Sequence, residues 1–266
     1  MKTPSSLQTP WAVMPVLLIS CLVGNLSASP IQSPIDIRSE NTLFTTLPPL
    51  SFLYGSGIPL DVFNNGSPGE ESTIRADVPM GGGSLFLSGT TFDLIQFHFH
   101  TESEHLINGN KAEMELHMVH QSAMGELLVL ARFIELGLTN ILLDPIFSSL
   151  PQNPGDSLAI GGFDLPGLLP TSLASFRYAG SLTTSPYTEG VSWIVLAEPL
   201  DLSAVQIDAF RTLFPNGNER PAQDLNGRFV LTDVPDFSTV PEPGSVVLFS
   251  VGCLVLLSMR IRRARC

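Results

Sequence analysis

Residues 96–121 read QFHFHTESEHLINGNKAEMELHMVHQ, and all five histidines of the chain (His98, His100, His105, His117 and His120) fall inside them. In an extended strand, side chains two apart share a face. His98 and His100 therefore project together, while Phe97 and Phe99 point to the opposite side. After the turn residues Asn108-Gly109-Asn110, the run 113–121 again has strand character, and two strands joined this way pair antiparallel. Its alternation puts Glu115, His117 and Val119 on one face, with Met114, Leu116, Met118 and His120 on the other. His98, His100 and His117 are thus expected to converge from two neighbouring strands. Three imidazoles so placed form the ligand set of a catalytic zinc site, with one tetrahedral position left for water. A metal-bound imidazole needs its other ring nitrogen held by an acceptor. Gln96 and Glu115 each stand two residues before a proposed ligand, on the same strand face, placed for that task. His105 and His120 read as hydrogen-bonded structural residues.

Outward from this pair, short strand signals recur. They are expected at the segment entered by QSPIDI (32–37), at 60–63 closed by the Asn64-Asn65-Gly66 turn, at 73–78 and at 85–87. The histidine pair itself spans 91–101 and 113–121, and the apolar run 127–135 reads as a buried neighbour. Further strands are expected at 176–181 and 191–196, a short helix interrupted by Pro145 within 140–150, and loop over the Gly- and Pro-rich 151–170. Ser203 is placed to cap a helix over 204–213, with Val205, Ile207, Phe210 and Leu213 as its apolar stripe. Asn226-Gly227 marks a last turn. Strands outnumber helices, so the class is mainly β.

The chain has 266 residues, 44% hydrophobic and 14% charged, enough for a sizeable core, and its 22 Pro and 22 Gly imply many turns. Of 13 basic residues, Lys2, Arg260, Arg262, Arg263 and Arg265 lie at the two ends, whereas nearly all 25 acidic residues lie between them. Such an acidic middle argues against nucleic acid and for a small or neutral ligand. The three cysteines, Cys21, Cys253 and Cys266, also lie at the ends, so the middle has no disulfide to form.

Those ends read as targeting elements around one domain, 29–240. Residues 1–28 carry Lys2, an apolar run from Trp11 to Val23 and then small residues to Ala28, a secretory signal pattern. Leu18-Ile19-Ser20-Cys21 is also similar to a lipoprotein cleavage box. Residues 241–266 hold Pro241-Glu242-Pro243, an apolar run 245–259 and the basic RIRRARC, whose flank fits the positive-inside rule. Those three parts in order resemble the PEP-CTERM sorting tail of Gram-negative bacteria. That resemblance implies export, use of sorting machinery, anchoring in the membrane and delivery to the periplasm, envelope or exterior. A plain membrane anchor is the simpler alternative.

Eight motifs in order resemble an α-type carbonic anhydrase of the bacterial kind: QSPIDI (32–37), NNG (64–66), QFHFH (96–100), SEH (103–105), MELHMVH (114–120), YAGSLTT (178–184), EGVSWIVL (189–196) and NERPAQ (218–223). The resemblance implies a large, twisted, mostly antiparallel sheet with zinc on its central strands. It also implies reversible hydration of carbon dioxide to bicarbonate and a proton by zinc-bound hydroxide. His98, His100 and His117 match the zinc ligands, and Gln96 and Glu115 match the residues behind them. By the same resemblance Thr183 and Glu104 are catalytic, with Thr183 accepting a hydrogen bond from the hydroxide and donating one to Glu104. Val119, Val129, Leu182 and Thr184 would line the substrate side.

The chain departs from the family pattern in four places. Ser67 stands directly after NNG, where many relatives carry a proton-shuttling histidine, and Glu70 and Glu71 are poor substitutes at neutral pH. Only Ser29, Pro30 and Ile31 separate the expected cleavage point from QSPIDI, where relatives have a segment rich in Trp and Tyr. The cysteine pair of bacterial relatives is missing, with Tyr187 near its second position, and Thr101 follows HFH where animal relatives have Trp. Two other classes stay open. One is a non-catalytic envelope protein that keeps the fold, with or without the metal. The other is a cupin-type metal enzyme, which needs a ligand histidine beyond His120, where the chain has none.

Overall fold

The computed structural model describes residues 30–66 and 72–237. Segments 1–28 and 241–266, together with Ser67, Glu70 and Glu71, lie outside the described residues. No helix among the described residues is long and apolar enough to cross a membrane.

Among the described residues fourteen strands run in the order β1 (Asp36–Ile37), β2 (Thr42–Phe44), β3 (Ser51–Tyr54), β4 (Ile58–Asn64), β5 (Ile74–Asp77), β6 (Gly83–Leu87) and β7 (Thr90–His100). They continue as β8 (Leu106–Ile107), β9 (Met114–Ser122), β10 (Leu127–Leu136), β11 (Ser157–Phe163), β12 (Ser175–Ser181), β13 (Glu189–Leu202) and β14 (Val230–Thr232). The α-helices among the described residues are α1 (Asp144–Phe147) and α2 (Ala204–Leu213). Twelve strands form one sheet ordered β11-β4-β5-β7-β9-β10-β13-β12-β14-β2, with β6 on β7 and β3 on β6. Its pairings are antiparallel except β10–β13 and β14–β2. The fold is therefore mainly β, as the alternating sequence predicts.

Strand alternation divides the core in two. On one face Phe97, Phe99, Leu116, Met118, Leu128, Leu130, Ile194 and Leu196 pack with Ile207 and Phe210 of α2. On the other, Val119, Val129, Ala131, Trp193 and Val195 pack with Ile35 and Ile37. At the sheet centre β9 and β10 are buried on both faces because both sides of the sheet are covered there. That is why the histidine-bearing β9 has a single exposed residue, Gln121. At about 25 cal/mol per Å² of apolar surface removed from water, this two-sided burial is the main force holding the central strands in register.

Several local expectations need correction. Asn108 and Gly109 do form a tight turn, both with positive φ (50° and 83°), as a two-residue type I′ turn requires. It does not join β7 to β9, however. It lies in an excursion whose β8 pairs parallel with β1, and β7 and β9 meet across that longer connection. Residues 151–170 hold a strand as well as loop: β11 caps the sheet edge on β4, with a register shift between Ile160 and Phe163 where Gly161 and Gly162 fall. An edge strand with one solvent face needs few large side chains, so its composition resembles loop. Pro145 sits in the first turn of α1, where its missing N–H costs nothing. Helix α2 carries the expected Ser203 cap with a reciprocal Gln206 bond, but Val205 is 78% exposed and does not join the apolar stripe.

Candidate metal centre and active-site pocket

The centre is built by register. His98 in β7 lies directly opposite His117 in β9, and His100 lies two residues along the same face of β7. The ring centroids are 4.9 Å apart for His98 and His100, 5.1 Å for His98 and His117, and 4.6 Å for His100 and His117. One ligand atom from each of the three rings falls within 4.8 Å of the others, close enough to share one ion.

Each ring has one nitrogen already committed to an acceptor. Gln96 Oε1 is 2.9 Å from His98 Nδ1, the carbonyl oxygen of Asn218 is 3.0 Å from His100 Nδ1, and Glu115 Oε1 is 3.0 Å from His117 Nε2. An N–H donated in each pair leaves Nε2 of His98, Nε2 of His100 and Nδ1 of His117 as the lone-pair nitrogens. His100 Nε2 is buried with no hydrogen-bond partner, an arrangement that is costly unless something electrophilic takes the lone pair. These donors suit Zn²⁺, a borderline-soft ion that favours neutral imidazole.

Electrostatics keep the rings neutral. Burial, reinforced by the charges of His100, His117 and Arg75, holds the His98 pKa well below the usual histidine range. Burial also lowers His100 and His117, against the opposing pull of Glu115. Burial by itself would raise Glu115, but His105 and His117 hold its carboxyl well below the usual range. Glu115 Oε1 also lies 2.6 Å from His105 Nδ1, and its Oε2 accepts the His105 backbone N–H at 2.8 Å. His105 Nε2 is in turn 2.6 Å from the Tyr178 hydroxyl. His105 and His120 are fully buried away from the pocket, with His120 Nε2 2.6 Å from the Tyr54 hydroxyl.

Glu104 lies beside the ligands, its Oε2 3.9 Å from His117 Nδ1. Burial pushes its pKa up to about 7, against the lowering effects of His117, the Arg220 backbone N–H and the Thr183 hydroxyl. Oε1 accepts that Arg220 N–H at 2.8 Å, while Oε2 has no partner at hydrogen-bond distance. Thr183 follows β12 in the turn leading to β13. Ser181, two residues before it, is fastened to the 32–37 segment: the Ser33 backbone N–H donates to Ser181 Oγ at 3.0 Å and the Ser181 N–H donates to Ser33 Oγ at 3.1 Å.

The three histidines open into a pocket of about 150 Å³ that also reaches Gln96, Val119, Val129, Leu182, Thr183 and Thr184. Val119 and Val129 are cross-strand neighbours in β9 and β10, and their side chains form an apolar wall. The structure thus brings together every residue expected at the site. It adds Asn65, Thr73, Arg75 and Trp193 as lining and the Asn218 carbonyl as the acceptor behind His100. Asn218 opens the NERPAQ motif and lies far from His100 in sequence, so no local spacing could link the two.

A model of the eukaryotic-type carbonic anhydrase family matches residues 25–234. A carbonic anhydrase of Neisseria gonorrhoeae is 40% identical over 200 residues, covering 75% of this chain and 76% of the relative. One from Nostoc sp. is 36% identical over 212 residues, covering 75% of each. Among solved structures, the α-carbonic anhydrase of Thermovibrio ammonificans in complex with the inhibitor sulfanilamide superposes with a TM-score of 0.70. It is 39% identical, covering 76% of this chain and 86% of that one. With register, donor set and family match in agreement, this chain belongs to the α-type, eukaryotic-type carbonic anhydrase family.

Proposed function

We propose that this protein catalyses the reversible hydration of carbon dioxide to bicarbonate and a proton, with zinc held by His98, His100 and His117. The observation that carries this is the convergence of three neutral imidazoles, two of them buried and His98 half-buried, each with its second ring nitrogen tied to an acceptor. Zinc, when bound, supplies the Lewis acidity for which carbonic anhydrases are the reference case, making hydroxide available near neutral pH.

The chain's own residues do the rest. Gln96, Glu115 and the Asn218 carbonyl fix ring orientation and tautomer, so the three lone pairs stay aimed at one point. Thr183, by donating its hydroxyl proton to Glu104, is left only its lone pairs for the nucleophile, which must then donate to Thr183 and turn its own lone pair to the substrate. Glu104 is the stronger acceptor when ionised, and a cation held nearby offsets the burial that raises its pKa. Val119, Val129 and Leu182 offer a wall without hydrogen-bonding groups, suited to an uncharged linear molecule, and Thr184 borders the same space.

The two ends support an exported protein. A secretory pattern over 1–28 and a PEP-CTERM-like tail over 241–266 enclose the catalytic domain 29–240, and export and sorting machinery and a membrane are the partners this implies. Zinc analysis and stopped-flow carbon dioxide hydration on residues 29–240 test the function. One equivalent of zinc with sulfonamide-sensitive hydration is expected; zinc without hydration would mark a scaffold that keeps the metal and lacks the chemistry.

A further inference from the structure

Among the described residues lining the pocket, Arg75 is the one arginine or lysine. It stands in β5 directly opposite His98 of β7, so its backbone position is tied to the ligand cluster. Its guanidinium is held on two sides. Nε donates to Asp77 Oδ1 at 2.8 Å and Nη2 donates to Asp77 Oδ2 at 3.1 Å, while Cζ lies 4.7 Å from the centroid of the Phe63 ring. One edge and one face are thereby occupied, and Nη1 has no partner among the described residues. Asp77 does not line the pocket, so the ion pair is a dipole whose positive end faces the site.

A guanidinium already oriented by a carboxylate on one edge loses little freedom when its other edge binds a planar oxyanion. The reaction proposed above needs such a place. Its product is a planar trigonal anion, and it must leave or enter through the surface of a protein with a formal net charge of −12. That charge repels anions at long range, so a local cation on the pocket wall changes how long the anion stays. We propose that Arg75 is a specificity-determining residue for anions: its open Nη1 edge anchors bicarbonate, and carboxylates that compete with it, beside the metal centre. Asp77 sets the strength of that anchor by partly neutralising it.

This inference deepens the carbonic anhydrase reading and rests on it. Zinc-loaded wild type, Arg75→Gln, Arg75→Lys and Asp77→Asn proteins are titrated with sodium formate, a planar carboxylate that does not react. Binding is followed by displacement of a fluorescent aryl sulfonamide whose own Kd is measured for each protein. Arg75→Gln is expected to raise the formate Kd about fivefold and Asp77→Asn to lower it about twofold, with both differences shrinking at high ionic strength. Arg75→Lys should fall between wild type and Arg75→Gln, because a point charge lacks the fork. Equal formate Kd values in fully zinc-loaded wild type, Arg75→Gln and Asp77→Asn overturn the anchor and leave the carbonic anhydrase reading standing. A wild-type protein that binds neither zinc nor the sulfonamide overturns both.

Discussion

Replacing Glu115 by Gln is the most informative single change at the centre. The carboxylate faces three donors: His117 Nε2 at 3.0 Å and His105 Nδ1 at 2.6 Å on Oε1, and the His105 backbone N–H at 2.8 Å on Oε2. A carboxamide of the same shape accepts at one end only. If its oxygen faces the imidazoles, its NH₂ meets the backbone N–H; if it is flipped, the NH₂ meets two ring N–H groups and the His117 lone pair leaves the metal side. Either way a buried, charge-assisted hydrogen bond is replaced by a donor against a donor, costing about 1.5–3 kcal/mol. Loss of a carboxylate behind a metal-bound imidazole lowers metal affinity about 10- to 100-fold. Competition against a chromophoric zinc chelator measures this directly, with Gln96→Ala as the internal comparison. Gln96 holds its histidine with a neutral amide in a partly exposed setting, so its removal should weaken zinc binding less. Wild-type zinc affinity in Glu115→Gln, or a larger loss in Gln96→Ala, would refute this account of how the rings are held.

Other consequences are testable in parallel. Thr183→Val should lower hydration turnover by about 10²-fold or more while zinc content stays at one equivalent, since its hydroxyl orients the nucleophile and holds no metal. None of the five histidines is available as a surface proton relay, because all lie within 98–120 and those not in the ligand cluster are buried; steady-state turnover should therefore rise steeply with imidazole-type buffer, and equal rates in dilute and concentrated buffer would count against this. Burial brings the His120 pKa down to about 4, below the ordinary histidine value of the unfolded chain. Between about pH 4 and 6.5 the unfolded state then binds the extra proton, so stability rises with pH across that window, by up to about 3 kcal/mol for this group. Denaturant melts should show His120→Gln losing less stability than wild type between neutral pH and the low end of that window.

Much of the centre was legible in the sequence because strand alternation is strict. With 96–100 and 113–121 as strands, Gln96, His98 and His100 share one face and Glu115 and His117 share another, and the pairing register that sets His98 opposite His117 brings the two together. The hairpin connection between β7 and β9 is not legible, since a turn signal such as Asn108-Gly109 identifies a turn and not the strands it joins. What stayed hidden came from partners distant in sequence. The Asn218 carbonyl behind His100 is backbone, to which any residue type contributes equally. Arg75 gains its place on the pocket wall only through the pairing of β5 with β7. The strand β11 carries no strand signal, because an edge strand rich in small residues has the composition of a loop. Val205 shows the opposite error, an apolar side chain at helical spacing that the packing leaves in solvent.

The central claim is that His98, His100 and His117, and no other side chains, hold one zinc ion with a position open to solvent. X-ray absorption at the zinc edge, on protein carrying one equivalent of metal, tests it most directly. Three imidazole nitrogens and one light oxygen that is exchanged on adding a sulfonamide are predicted, with the imidazole count falling in His117→Ala. A sulfur ligand, or four protein ligands that the sulfonamide leaves unchanged, would contradict it.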